Sequence, residues 1–151
     1  MRAPRRWVML PAYATVALLL ACRSQSAATS TDTRTPIALP ADAAEAVRSE
    51  MRTMLGSLHT LLASVPTGDT ATMRRAARAS GMSAAADTAL EHLLPETFFT
   101  IGTGTHMQFD SLATALAAGL PRDSVIGRLG RLTSNCVSCH ATYRLVAAGA
   151  R

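Results

Sequence analysis

The sequence predicts an all-α fold, namely an antiparallel bundle of four helices. Apolar residues recur at spacings of three and four in four segments that follow residue 40. No segment shows the convincing alternation of apolar and polar residues that marks a half-buried strand. The connections between the four segments are mostly short, which favours helices that run antiparallel to their neighbours.

The first helix is predicted to begin at Asp42, which forms a capping-box-like pair with Glu45, and to end at Pro66. Its apolar positions keep the helical spacing, and they are Val47, Met51, Met54, Leu55, Leu58, Leu62 and Val65. These residues would form one face of an amphipathic helix, buried against the rest of the bundle.

A second helix is predicted to begin at Asp69 or Thr70, either of which can cap it, and to continue to about Leu94. Because glycine weakens a helix interior, we expect a kink or a break at Gly81. The next segment, residues 95–107, contains two glycines and is predicted to be a loop.

A short third helix is predicted around residues 109–116, with Gly119 just past its C-terminus. Pro121 suits the first turn of a fourth helix. The apolar stripe of that helix contains Val125, Ile126, Leu129, Leu132, Cys136 and Tyr143. A cysteine motif therefore lies inside the buried face of the last helix.

That motif is Cys136-Val137-Ser138-Cys139-His140. The Cys-x-x-Cys-His pattern attaches a haem covalently, because each thiol adds across one haem vinyl group and the histidine binds the iron. We therefore predict one haem c, held by Cys136 and Cys139, with His140 as an iron ligand. The alternatives are a thiol redox pair and half of a zinc site. The histidine that follows the pair and the lack of a second cysteine pair argue against both.

The N-terminus carries an export signal. Residues 1–21 consist of an arginine-rich start and an apolar run that is too short to span a bilayer, which predicts a signal peptide. The run ends in Leu19-Leu20-Ala21-Cys22, which resembles the lipobox of bacterial lipoproteins, and Cys22 is the predicted lipidation site. The alternative is an ordinary signal peptide that is cleaved at the alanines near Ala27.

Residues 22–40 are rich in Ser, Thr and Ala and are predicted to be a flexible tether, so the bundle domain is expected to span residues 41–151. Removing the three arginines of the leader from the fifteen basic residues leaves twelve against ten acidic residues, a net charge of about +2. Two haem propionates would bring this charge close to zero, so no nucleic-acid partner is implied.

The fourth helix ends in Cys136-Val137-Ser138-Cys139-His140-Ala141-Thr142-Tyr143-Arg144. A four-helix pattern with this ending resembles the cytochrome c prime family and its low-spin, methionine-ligated relatives. The resemblance covers roughly residues 42–145. The eleven residues that follow His140 contain neither Met nor His, so we expect any sixth iron ligand to come from upstream.

The resemblance implies a sixth iron ligand and a propionate contact on the first helix. Arg48, Met51 and Met54 match the family's arginine and methionine pattern there, although Arg48 and Met51 are one residue closer than in the usual pattern. Met51 would be the sixth ligand, and Arg48 would contact a haem propionate. The alternative for both methionines is core packing, which is the common role of Met at helical spacing.

Other residues have less specific expectations. Tyr143 and Arg144 follow His140 by three and four residues, so a continuous helix would bring both to the ligand's side of the haem. Arg144 would pair with a propionate or else remain solvated at the helix end. The other three histidines are expected to be solvated or hydrogen-bonded rather than bound to iron, and they are His59, His92 and His106.

The predicted function is electron transfer in the periplasm by a lipid-anchored cytochrome, with periplasmic redox proteins as partners. Arg23 follows the lipidation site and is compatible with sorting to the outer membrane. The alternative function is a five-coordinate haem that binds nitric oxide or carbon monoxide, as high-spin members of the resembled family do. A third class is a non-haem lipoprotein. The resemblance also implies a possible homodimer. No combination of a nucleophile and a base stands out in the sequence, so an enzyme is not predicted.

Overall fold

The computed structural model describes residues 32–85 and 88–149. This part of the chain is mostly helical and contains four α-helices, as predicted for an all-α bundle. The α-helices are α1 (Ala41–Ser64), α2 (Thr70–Arg78), α3 (Glu96–Ala117) and α4 (Arg122–Thr142). Two 3₁₀ segments, Met82–Ala84 and Thr88–Leu93, lie between α2 and α3.

The predicted export and anchoring elements fall outside the described residues. The structure does not describe residues 1–31. The predictions that fall there are the signal peptide of residues 1–21, the lipidation site Cys22 and the first part of the tether, and they stay predictions. Within the described ranges, no helix has the length and apolar character needed to cross a membrane.

Helix α1 has nearly the predicted bounds, but the predicted capping box is wrong. Pro40 occupies the N-cap position and makes no side-chain capping hydrogen bond. Asp42 lies in the first turn, where a negative charge is favoured by the helix dipole. Glu45 forms ion pairs with Arg48 and Arg52 instead of capping the helix.

Helix α2 is shorter than predicted. Asp69 caps it as expected, because its carboxylate accepts a hydrogen bond of 2.9 Å from the backbone N–H of Thr72. The helix ends at Arg78, and the expected break at Gly81 is present. A Cβ atom added to Gly81 would lie 2.3 Å from Oδ1 of Asp110, so only glycine permits this close approach to α3.

The predicted loop at residues 95–107 is wrong, because α3 begins at Glu96 and continues through this segment. The buried positions of α3 follow helical spacing from Phe98 to Phe109 and beyond. A glycine in a helix interior costs about 1 kcal/mol relative to alanine, whereas burial of one Phe side chain contributes about 1.5–3 kcal/mol. Burial therefore outweighs the glycines in this segment.

Helix α4 begins after Pro121 as predicted and contains the Cys136–His140 motif. Of its predicted apolar stripe, Val125, Leu129 and Leu132 are buried, but Ile126 is largely exposed. The helix ends at Thr142, and Tyr143–Ala147 forms the strand β2. The expectation that a continuous helix carries Tyr143 and Arg144 past His140 is therefore wrong.

A second strand lies in the segment that was predicted to be a flexible tether. The fold therefore contains two strands in addition to the predicted helices. Residues Thr35–Leu39 form β1, which pairs in parallel with β2, with Thr35 opposite Tyr143 and Ile37 opposite Leu145. Ile37 and Leu39 are both buried, so alternate side chains of this short strand point into the protein interior. The ordered domain thus begins before residue 41, and a two-stranded ribbon accompanies the helices.

The buried apolar side chains of the described residues form two clusters. The larger, which we call the main core, is drawn from all four helices and includes Leu58, Leu61, Val65, Met73, Ala77, Phe109, Leu112, Leu116, Val125, Leu129 and Leu132. The smaller, which we call the ribbon core, consists of Ile37, Leu39, Ala43, Ala44, Val47 and Phe98. Cys139 and Met51 pack against the ribbon core, so the cysteine motif lies at the smaller cluster.

Candidate functional site

The cysteine motif occupies the last turns of α4. Cys136 and Cys139 are three residues apart in a helix and therefore project from the same face. Both are half-buried free thiols. His140 is solvent-exposed at the end of the helix. The local structure thus places two thiols and an imidazole along one edge of α4.

A cavity of about 530 Å³, here called the main cavity, lies beside this edge. Its volume falls within the range of about 300–1,000 Å³ that is typical of sites for small molecules and cofactors. Both cysteines and His140 line it from α4, and Met51 and Met54 line it from α1. Its other apolar lining residues are Val47, Leu55, Leu58, Ala85, Leu90, Leu94, Phe98, Phe99, Ile101 and Val137.

A glycine of α3 widens the main cavity. Gly102 lines the cavity, and a Cβ atom built at this residue would meet no atom within 4 Å. A larger side chain at this position would therefore occupy open space in the cavity rather than displace protein atoms. From the sequence this glycine predicts a loop, whereas in the structure it lies in α3 and leaves room for a bound group.

The two thiols differ from those of thiol redox enzymes. Burial raises the pKa of Cys136 above its ordinary value. Burial also raises the pKa of Cys139, and the nearby Cys136 adds to this effect through charge repulsion. Reactive Cys-x-x-Cys pairs instead have at least one thiol with a lowered pKa, because the thiolate is the nucleophile. This difference weighs against the thiol redox alternative.

A smaller cavity of about 300 Å³ lies on another side of His140 and contains three arginines. We call it the arginine cavity. Arg34, Arg48 and Arg144 line it together with His140, and none of its described lining residues is acidic. The guanidinium group of Arg34 donates a hydrogen bond of 3.3 Å to the backbone carbonyl of His140. The arginine cavity is therefore a positively charged site beside the end of α4.

Sequence reasoning missed Arg34, because it assigned this residue to the flexible tether. The signal that was available is the alternation of Ile37 and Leu39 in the five residues that follow it, which is too short to distinguish a strand from a loop. Pairing with β2 holds the segment in place. Arg34 immediately precedes β1, and from there it reaches the end of α4, more than 100 residues away in sequence.

The other candidates of the sequence analysis divide into two groups. Arg48 lines the arginine cavity, as do Tyr143 and Arg144. The Tyr143 ring packs edge-on against Phe98, with ring centroids 5.7 Å apart. These residues thus lie near His140 even though β2, rather than α4, carries two of them. His59 and His92 are exposed and line none of these cavities.

His106 is the one further histidine in the wall of the main cavity within the described part of the chain. It is only 2% exposed. Its Nδ1 atom donates to the backbone carbonyl of Ser80 at 2.9 Å, and its Nε2 atom forms a hydrogen bond with the carboxylate of Glu50. Both ring nitrogens are therefore engaged, in agreement with the expected hydrogen-bonded role.

No protein-family model, curated protein or solved structure matches this chain. In residues 32–85 and 88–149 there is also no cluster of three or more His, Cys, Asp and Glu side chains that could hold a metal ion by themselves. The roles of the site residues are therefore argued from their chemistry and their placement around the two cavities.

Proposed function

We propose that this chain is an exported c-type cytochrome that carries one covalent haem and transfers electrons. The observation that carries the proposal is the set of residues around the main cavity. Cys136, Cys139 and His140 line it from α4, and Met51 lines it from α1. These are the two thiols, the proximal imidazole and the thioether that a Met/His-ligated haem c requires.

The residues present fit this cofactor in their chemistry. Each thiol would add across one vinyl group, so that sulfur bonds to one vinyl carbon and the thiol hydrogen is transferred to the other. His140 would supply an imidazole nitrogen to iron, and Met51 would supply its thioether sulfur. When bound, the haem provides a one-electron redox centre, and Met/His ligation raises its reduction potential. The largely apolar wall of the main cavity would exclude water from the porphyrin.

The finer fold belongs to the same proposal, namely an antiparallel bundle in which α4 is the haem-attachment helix. In such a bundle the first half of α1 lies level with the last turns of α4. Two observations support this arrangement. Val47 belongs to the ribbon core and Cys139 packs against it, whereas Leu58 and Leu129 both belong to the main core.

The arginine cavity would receive the haem propionates. Carboxylates pair well with guanidinium groups, because the planar fork of arginine donates two parallel hydrogen bonds. Arg48 lies on α1, Arg144 lies on β2, and Arg34 immediately precedes β1, and all three line the arginine cavity beside His140. Their positive charges would offset the two negative charges of the propionates. This role includes the propionate contacts expected for Arg48 and Arg144 and adds Arg34 to them.

The proposal places the protein in the periplasm, anchored by a lipid on Cys22, with periplasmic redox proteins as its partners. Mass spectrometry of the mature N-terminus tests the anchor. A mature chain that begins with acylated Cys22 would support it. An unmodified chain that begins at Ser24 or later would remove it and leave a soluble periplasmic carrier.

Covalent haem attachment is tested in a strain that carries the cytochrome c maturation machinery. We expect the unmutated chain to give a pyridine haemochrome spectrum for one haem per protein and a haem-stained band after denaturation. Cys136→Ala and Cys139→Ala should each lose most of the stained product, because each cysteine consumes one vinyl group. Normal staining of the double variant would overturn the proposal.

The sixth ligand distinguishes the electron carrier from the gas-binding alternative. Met51→Ala should convert a low-spin spectrum to a high-spin one and admit carbon monoxide to the reduced protein. Met54 is a matched control, since it lies one turn further along α1 and lines the same cavity. Met54→Ala should leave the spin state unchanged. If the unmutated protein is already high-spin and binds carbon monoxide readily, gas binding replaces electron transfer as the function.

A further inference from the structure

The wall of the main cavity contains a buried histidine that the proposed haem site does not use. His106 is 2% exposed, and it lies between the main cavity and a second cavity of about 480 Å³. Burial of an imidazole is unfavourable unless its nitrogen atoms have hydrogen-bond partners. The partners of His106 therefore indicate why the fold retains it.

Those partners connect three separate segments of the chain. A carbonyl oxygen only accepts hydrogen bonds, so Nδ1 of His106 must carry the hydrogen that it donates to Ser80. The Nε2 atom bonds to Glu50. His106 thus joins α3 to α1 through Glu50 and to the turn after α2 through Ser80.

Glu50 immediately precedes Met51 in α1. Consecutive residues of an α-helix are rotated by about 100° around its axis, so a fixed position for Glu50 also fixes the direction in which Met51 projects. Packing holds Met51 on one side only. Met51 is partly buried and packs against the ribbon core, but it also borders the main cavity and the arginine cavity.

We propose that His106 is a positioning residue, which holds Glu50 and thereby keeps the adjacent Met51 directed into the main cavity toward the iron. This inference rests on the proposed function, in which Met51 is the sixth ligand. Loss of the hydrogen bond would let α1 rotate or bend at this level. The thioether would then leave the iron for part of the time and open the distal face to small ligands.

A matched control is needed to distinguish the positioning of Met51 by His106 from a purely structural role of this histidine. Ser57 provides one, because it lies on α1, is buried, and hydrogen-bonds through its hydroxyl to the hydroxyl of Ser80 at 2.8 Å. The bond therefore also links α1 to the turn after α2. Ser57 is six residues from Met51, so removal of its hydroxyl should weaken the attachment of α1 to this turn without releasing the methionine.

The experiment uses the haem-loaded full-length chain and four variants, His106→Leu, His106→Gln, Glu50→Ala and Ser57→Ala. For each protein the visible spectrum, the binding of carbon monoxide to the reduced form, the reduction potential and the urea midpoint are measured. His106→Leu and Glu50→Ala break the same bond from opposite sides. They should show a high-spin component, at least tenfold tighter carbon monoxide binding and a lowered reduction potential.

The conservative variant and the control separate positioning from stability. His106→Gln keeps a side-chain amide that can donate to Glu50, so it should recover most of the low-spin spectrum. Ser57→Ala should lower the urea midpoint and leave spin state, carbon monoxide binding and potential unchanged. This pattern of results would support the positioning role.

Two results overturn the inference, and they differ in what they say about the proposed function. If the unmutated protein is low-spin and His106→Leu or Glu50→Ala remains low-spin and closed to carbon monoxide, His106 does not position Met51, although the haem site itself stands. If the unmutated protein already binds carbon monoxide readily, Met51 is not the ligand, and both the inference and the proposed electron-transfer role fail.

Discussion

The two halves of α1 have different surroundings. The second half contributes Leu58 and Leu61 to the main core, together with Val65 just past its end, where apolar side chains of all four helices fill the interior. The first half contributes Val47 to the smaller ribbon core, and beyond it Met51 faces a cavity. The same amphipathic periodicity thus leads to a filled core in one region and to a binding space in the other.

Helix α4 repeats this contrast in the opposite order along the chain. Val125, Leu129 and Leu132 are buried in its first half, whereas the cysteines near its end are only half-buried and His140 is exposed. Of the described residues that are buried in the main core, Leu58 alone lines the main cavity. The region around the ribbon core leaves a large apolar space, which the proposed haem would occupy.

The largest expected effect comes from emptying the main core. Phe109 is fully buried, and Phe109→Ala should lower the free energy of unfolding by about 3–5 kcal/mol, because it removes a large side chain and leaves a cavity. Phe99 is the matched control, since it is only partly buried at the main cavity. Urea unfolding of the haem-free protein checks both variants. If Phe109→Ala and Phe99→Ala lowered the free energy of unfolding equally, the difference between the main core and the main cavity would be contradicted.

A somewhat smaller effect is expected in the ribbon core. Leu39 is 1% exposed, and Leu39→Ala should destabilise the ribbon core by about 2–5 kcal/mol, because it removes buried atoms from this cluster and none from the main core. Hydrogen exchange should then show faster exchange at β1 and β2 than in the second half of α1. Exposed Ala38 lies next to it in the same strand and is a control site, where Ala38→Ser should change little. Uniformly faster exchange in all elements would mean that the two regions unfold as one unit.

The third prediction concerns pH. Burial disfavours the charged imidazolium of His106, but the hydrogen bonds to Glu50 and to the Ser80 carbonyl favour it more, so the pKa of His106 lies above its ordinary value of 6.5. The folded protein therefore binds this proton more tightly than the unfolded chain does. Its stabilising contribution is fully present below about pH 6.5 and is lost as the pH rises through the raised pKa.

Unfolding of the haem-free protein by urea at a series of pH values between about 6 and 9 measures this loss. His106→Gln should remove the part of the decline that comes from this residue, and His59→Gln, at an exposed position, should not. A pH dependence that is the same in the unmutated protein and in His106→Gln would show that His106 is not the responsible group.

The smallest expected effect on stability is that of Arg34→Gln, on the order of 1 kcal/mol, because it removes one hydrogen bond at a partly exposed site. In the haem-loaded protein it should also lower the reduction potential, since a nearby positive charge favours the reduced iron. Arg75→Gln on α2 is the control, because Arg75 is exposed and lines neither cavity. Redox titration that shows equal potentials for the two variants would exclude Arg34 from the site.

Several elements of the fold could be predicted from local sequence, because their signals are local. The apolar spacing of α1 gave nearly its observed bounds, and Asp69 marked the start of α2. The loop predicted at residues 95–107 was wrong, because that prediction considered only the low helix propensity of the glycines there. The benefit of burying Phe98 and His106 depends on helices that lie elsewhere in the sequence.

The sequence by itself determined the chemistry that the site can offer. The Cys136–His140 motif predicts haem attachment from local spacing alone, because it brings two thiols and an imidazole together within about one helical turn. Only the tertiary structure decided which distant residues join them. Arg34 reaches His140 through the pairing of β1 with β2, and His106 reaches Glu50 across two helices. Neither contact has a local signal, because each depends on long-range packing that brings together segments more than 50 residues apart.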